Sequence, residues 1–204
     1  MVSKTSICNK ALIKLGVDPV INIDTDTSPQ ATRCKATYDD SLEEVLRVHN
    51  WNFAIFRQSL NQDTSITPAY GYTKAFVLPT VPKLIRIIEE KNNIDYKIEN
   101  NLLLTNESSV SIRFVGRETD PNKYDSLFVE ILALRIAVEI GFKLTGNASL
   151  IQLLEQKYQL ELSNARSRDF QEDNQKPLRV SSFNQSRLVS YDQIETFAPV
   201  TQST

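Results

Sequence analysis

One histidine and two cysteines, His49, Cys8 and Cys34, are the chain's only imidazole and thiol groups. A structural zinc site takes four N/S ligands and a catalytic one usually three converging His, Asp, Glu or Cys groups, so a histidine-rich metal site is excluded. The cysteines lack Cys-x-x-Cys spacing and read as two reduced, small apolar residues rather than a disulfide. His49 could act as base for a nucleophile. It also ends an apolar series and directly precedes Asn50-Trp51-Asn52-Phe53, and it is read as a structural histidine, hydrogen-bonded at a helix end.

Four carboxylates, Asp39, Asp40, Glu43 and Glu44, cluster within six positions and could bind a divalent ion or form an acid/base pair. A solvated helix face has the same appearance, and that is the reading taken. Glycoside hydrolysis stays open, because it needs only two carboxylates of different pKa, and Glu43, Glu44, Glu130 and Glu139 are available. Trp51, Phe53 and Phe56 could stack on nucleic-acid bases, but Arg57 is the one cation close to them, and a core plug is the simpler reading. The glycines at 16, 71, 116, 141 and 146 are too scattered for a dinucleotide fingerprint, a phosphate loop or a nucleophile elbow, so no cofactor is expected.

The elements that would hold these groups follow from period and punctuation. Ile7, Cys8, Ala11, Leu12 and Leu15 recur at helical spacing, with Gly16 at the C-terminal cap position. Ser28-Pro29 is a cap followed by proline, and Ala31, Cys34, Tyr38, Leu42, Val45 and His49 then form one stripe of a helix of about five turns. Between Thr64 and Arg117 the period shortens: 75–78, 84–89, 96–98, 102–104 and 110–115 read as strands of a small antiparallel sheet, with Asn100-Asn101 as a tight hairpin turn.

Asp120-Pro121 repeats the cap-then-proline signal. From Leu127 onward apolar residues surround the helix, leaving Arg135, Glu139 and Lys143 as a narrow polar stripe, as expected for the central helix of a bundle. After Gly146 and Asn147, another helix presents Leu150, Ile151, Leu154, Tyr158, Leu162 and Ala165 on one face. Leu153 and Leu160 fall off that face and mark a second contact surface, within the bundle or toward a neighbouring subunit.

With 24% charged and 41% hydrophobic residues, the 204-residue chain suits one globular domain with a tail. A formal net charge of -2 provides no global positive field for nucleic acid or an anionic membrane. The start has no signal-peptide pattern, and the apolar stretch from Leu127 to Leu144 carries Glu130, Arg135, Glu139 and Lys143; a soluble protein without membrane contact is expected. The expected fold class is α+β: mainly an α-helical bundle with a small inserted antiparallel β-sheet and an extended C-terminal tail. Residues 1–170 form the helical domain, with the β insertion at about 64–117, and 171–204 form the tail, where single hydrophobics stand among Ser, Gln and Asn.

Several segments together carry a resemblance. They are Ile7-Cys8-Asn9 with Ala11-Leu12 and Leu15-Gly16; Tyr38-Asp39 leading to His49-Asn50-Trp51-Asn52-Phe53-Ala54 and Arg57; Phe76-Val77-Leu78-Pro79; and Phe128-Val129-Glu130 through Leu132-Ala133-Leu134-Arg135 to Leu144-Thr145-Gly146. In order and spacing, from about Ser3 to Asp169, the chain resembles the head-to-tail adaptor proteins of short-tailed bacteriophages, the family of the tail tubular protein A and the tail accessory factor. Asn50 departs from it, since the family often has proline there.

The resemblance implies a non-enzymatic virion protein of the portal vertex, assembled in the host bacterial cytoplasm as a ring, commonly of twelve copies. Its implied partners are the portal protein, neighbouring copies of itself, a downstream tail or nozzle protein, and DNA that passes through the channel without sequence-specific binding. Leu153 and Leu160 are then subunit-interface candidates. The tail becomes the expected portal-docking element, with Arg179 and Arg187 making forked hydrogen bonds and Phe183, Tyr191 and Phe197 filling pockets as an extended strand does. Two other readings stand beside this one: a virion-associated peptidoglycan glycan hydrolase and a generic helical interaction module.

Overall fold

Two serines start the first helix earlier than its apolar spacing suggests. Ser3 accepts a hydrogen bond from the Ser6 backbone N–H at 3.1 Å, and Ser6 Oγ accepts from the Ser3 N–H at 2.9 Å, a reciprocal cap that opens α1 (Lys4–Lys14). The computed structural model describes residues 1–91 and 94–172. Gly16 follows α1 with φ 70°, a conformation that costs a side chain but not glycine. Ser28 caps α2 (Pro29–Val48), with Pro29 where a missing N–H loses nothing, and His49 turns the chain into extended backbone.

The strands follow. They are β1 (Ile55–Ser59), β2 (Gln62–Asp63), β3 (Lys74–Val77), β4 (Leu84–Glu90), β5 (Tyr96–Glu99), β6 (Leu102–Thr105) and β7 (Ser111–Gly116). They pair as two antiparallel sheets, β1-β7-β4 and β2-β3-β6-β5. Asn100 and Asn101 take φ 45° and 63° to close the β5–β6 hairpin, a turn that suits asparagine. Asp120-Pro121 makes only a 3-10 turn. Asp125 accepts from the Ser126 N–H and opens α3 (Ser126–Thr145), Gly146 ends it at φ 65°, and Asn147 accepts from the Leu150 N–H at the start of α4 (Ala148–Glu172).

Two apolar cores result. The larger gathers Ile7 and Leu12 of α1, Tyr38 and Leu42 of α2, Leu132 and Ile136 of α3, and Leu154 and Tyr158 of α4. Gly141 is the point of closest approach on α3: a Cβ there would lie 2.3 Å from Ile151 Cδ1 and 2.8 Å from Leu15 Cδ2. The smaller core comprises Leu60, Phe76, Leu78, Leu103, Val110, Ile112 and Phe114. The β1-β7-β4 sheet is shared between them by alternation along β7, where Ile112 and Phe114 face the second sheet while Val115 joins the helical core.

Among the described residues, four α-helices and two antiparallel sheets make an α+β fold, which corrects the expected mainly helical bundle with one small inserted sheet. β1 begins at Ile55, well before the expected insertion at about residue 64, and the strands divide into two sheets with a core of their own. The chain divides into units Met1–Phe170 and Gln171–Thr204; the strands and cores of the described residues belong to the first. α4 runs through Gln171 and Glu172, and the rest of the expected tail lies outside the described residues.

Candidate functional site

The sequence motif around His49 builds a packed joint. His49 caps α2 and meets the Trp51 ring edge-on at 5.0 Å; Trp51 is buried and its Nε1–H donates to the Val45 carbonyl at 2.9 Å. Phe128 of α3 meets Trp51 at 5.0 Å, Phe53 at 4.9 Å and Tyr124 at 5.0 Å, each close to a T-shape, as ring quadrupoles prefer. Tyr124 donates its hydroxyl to the Glu118 carbonyl at 2.9 Å, and burial pushes its phenol up to about 12. With its N–H satisfied and its faces covered, Trp51 joins the end of α2 to the start of α3 and offers no open face for a base.

Of the carboxylates singled out in the sequence, all but the exposed Asp40 are spent on ion pairs rather than gathered into one site. Glu43 pairs with Lys83 at 2.8 Å and Arg117 at 3.3 Å, and Asp39 also takes Arg117. Arg135 reaches Glu44 at 2.7 Å and Glu139 at 3.1 Å, while Glu130 pairs with Lys14. These links tie α2 to the ends of β4 and β7, and α3 to α1 and α2. Asn50 accepts a hydrogen bond from Arg86 at 2.6 Å, so a polar contact holds the turn where the resembled family often has proline. Among the described residues no group of three or more His, Cys, Asp or Glu is placed to hold a metal ion.

Cys8 and Cys34 are free and buried between α1 and α2. The neighbouring Cys34 thiol, together with burial, pushes the Cys8 thiol well above its ordinary range. This is the environment of an inert core thiol.

Leu153 and Leu160 are 62% and 61% exposed, two helical turns apart on α4, while Leu154, Tyr158, Leu162 and Ala165 are buried on another side. Arg179, Phe183, Arg187, Tyr191 and Phe197 lie outside the described residues. Sequence reasoning missed two surface features. Tyr70, 90% exposed, projects from the loop before β3. Arg57 and Arg113 stand directly opposite one another on β1 and β7, and the signal for this was the break after Phe56 from apolar to polar residues.

Among the described residues no helix is long and apolar enough to cross a membrane. No protein-family model matches the chain, and no curated protein shows significant similarity to it.

Proposed function

We propose that the protein is a structural component of a short-tailed bacteriophage virion, a head-to-tail adaptor. About twelve copies would close into a ring by repeating one heterologous interface. The ring docks on the portal protein and carries the next tail or nozzle protein, and DNA passes through its channel without sequence-specific binding. A chain of net charge -2 suits that passage, since it provides no strong phosphate grip.

The observation that carries this reading is convergence. The segments behind the family resemblance are dispersed from Ile7 to Gly146, yet their apolar residues meet in the two cores: Ile7, Leu12, Trp51, Phe53, Phe128 and Leu132 in the larger, Phe76 and Leu78 in the smaller. The resemblance is thus carried by residues that build the fold, with Leu153 and Leu160 supplying an outer helix face for a lateral neighbour.

The test is a mass measurement of portal rings before and after mixing with the protein. A fixed, ring-sized increment is the expected result; an unchanged portal mass overturns the proposal. The free protein is expected to sediment as a monomer at micromolar concentration. A chain truncated after Glu172 is expected to melt like the full chain and to lose portal attachment, and retained full binding would assign docking to the body.

A further inference from the structure

The two faces of β7 are not equally covered. Val115 packs into the helical core, and by strand alternation Arg113 and Ser111 share its face, but the helices do not extend over them. There the sheet forms the floor of a groove of about 410 Å³, lined by Arg57, Ser59, Glu89, Lys91, Ser111 and Arg113 among others.

The strand register sets three charges in a row across this floor: Arg57 on β1, Arg113 on β7 and Glu89 on β4. Like charges directly opposite on neighbouring strands are destabilising. Glu89 answers only one of the pair, meeting Arg113 Nη1 at 3.2 Å. Arg57 is exposed and has no ion pair among the described residues, and Arg113 Nε is buried without a hydrogen-bond partner. Beside them the Ser59 and Ser111 hydroxyls bond each other at 2.8 Å. Within the WNFAIFR segment, Trp51 and Ala54 are buried and Phe53 packs on the core, whereas Arg57, like Asn52, is exposed.

We propose that this groove docks an extended, acidic peptide segment of a partner protein, which lies along the outer edge of β1 and sets a carboxylate on Arg57 and Arg113. Two observations select that occupant. β1 has β7 as its one strand neighbour among the described residues, so its other edge presents main-chain N–H and C=O groups to an added strand. On this face Arg57, Arg113 and Lys91 stand against Glu89 alone, since Glu90 pairs with Ile112 on the opposite face, and positive charge is in excess. That matches the carboxylates of an acidic segment, held by an arginine fork, whereas a phosphate backbone would meet Glu89 in the same row. The proposal does not depend on the adaptor reading.

The experiment uses the full chain and three fluorescein-labelled probes: a decapeptide alternating glutamate with valine and threonine, the same peptide with glutamine for glutamate, and a ten-nucleotide single-stranded DNA. The acidic peptide is expected to bind, more weakly as salt rises. Arg57→Gln and Arg113→Gln are each expected to weaken it about tenfold, and the glutamine peptide is expected to bind at least that much more weakly. Arg57→Gln, at an exposed position, is expected to melt like the parent. Slowed hydrogen exchange at β1 amides on peptide addition supports strand addition. The proposal is overturned by absence of binding at millimolar peptide, equal binding of the two peptides, indifference to Arg57→Gln, unchanged β1 exchange, or DNA bound more tightly than the peptide through the same arginines.

Discussion

Around α3, side chains converge from every other helix, and the aromatic joint of Trp51, Phe53, Tyr124 and Phe128 closes one end of that core. Between the two sheets the core is thin, and much of the strand surface faces water: Val77 and Ile98 are exposed, as is the polar half of β1. The difference teaches where to look for contacts with other molecules. In the helical region most residue types are accounted for by packing and by ion pairs that tie one element to the next, the exposed Ile13, Phe142, Leu153 and Leu160 excepted. In the strand region some are not, Arg57 opposite Arg113 above all.

The comparison breaks first if the joint is not what holds the helical region. Trp51→Ala removes a ring buried against His49, Phe53 and Phe128 and should cost about 3–5 kcal/mol through the cavity it leaves, read as a lower midpoint of denaturant unfolding. A variant that melts like the parent would show that the joint is dispensable.

Leu103→Ala asks the same of the thin core, where Leu103 on β6 is fully buried. The expected cost is about 2–4 kcal/mol. Hydrogen exchange should quicken in β3, β5 and β6 while α1 and α3 keep their protection, since the two cores share only the β1-β7-β4 sheet. Equal loss everywhere would mean that the two regions unfold as one.

Glu118 stands at the seam, just after β7. Burial alone would raise its carboxyl, but Lys123 at 2.8 Å and the backbone N–H groups of Asp120 and Thr119, each at 3.0 Å, outweigh that and hold it below the ordinary glutamate range. A group whose pKa is lowered by folding stabilises the protein above its unfolded pKa, and that contribution is lost as pH falls through the folded value. Glu118→Gln should therefore cost about 1–2 kcal/mol at neutral pH and make stability fall less steeply in acid than in the parent. Gly146→Ala is a smaller perturbation of the helical region alone: nothing lies within 4 Å of the added Cβ, so its cost, about 1 kcal/mol in equilibrium unfolding, is that of the φ of 65°.

What could be read from the sequence divides along the same line. Helices are local: Ala31, Cys34, Tyr38, Leu42 and Val45 announce α2 by spacing, and Gly146 announces the end of α3. The β5–β6 hairpin is also local, through Asn100-Asn101. β1 is not, because Ile55-Phe56-Arg57-Gln58-Ser59 has no alternation to follow and becomes a strand through pairing with distant β7. Grouping strands into two sheets depends on similar long-range pairs, which is why a bundle with one small sheet was expected. The candidate surfaces follow suit: Leu153 and Leu160 were visible as residues off a helical stripe, whereas the Arg57–Arg113 row exists only once the register is known.

The smallest expected effect on stability carries the most information about assembly. Leu153→Lys and Leu160→Lys place charge at positions already more than half exposed, where substitutions usually stay within about 0.5 kcal/mol, so the melting curve should barely move. If α4 supplies one of the two unlike faces that a closed ring requires, the same changes bury a lysine at every repeat of the interface, and an unpaired buried charge is costly at each one. Mixed with portal rings, the double variant should then add less than a full ring of mass, while single subunits still attach. A full ring with both lysines present would place the lateral contact elsewhere on the subunit. Ile13 and Phe142, 64% and 60% exposed on α1 and α3, would be the next positions to charge.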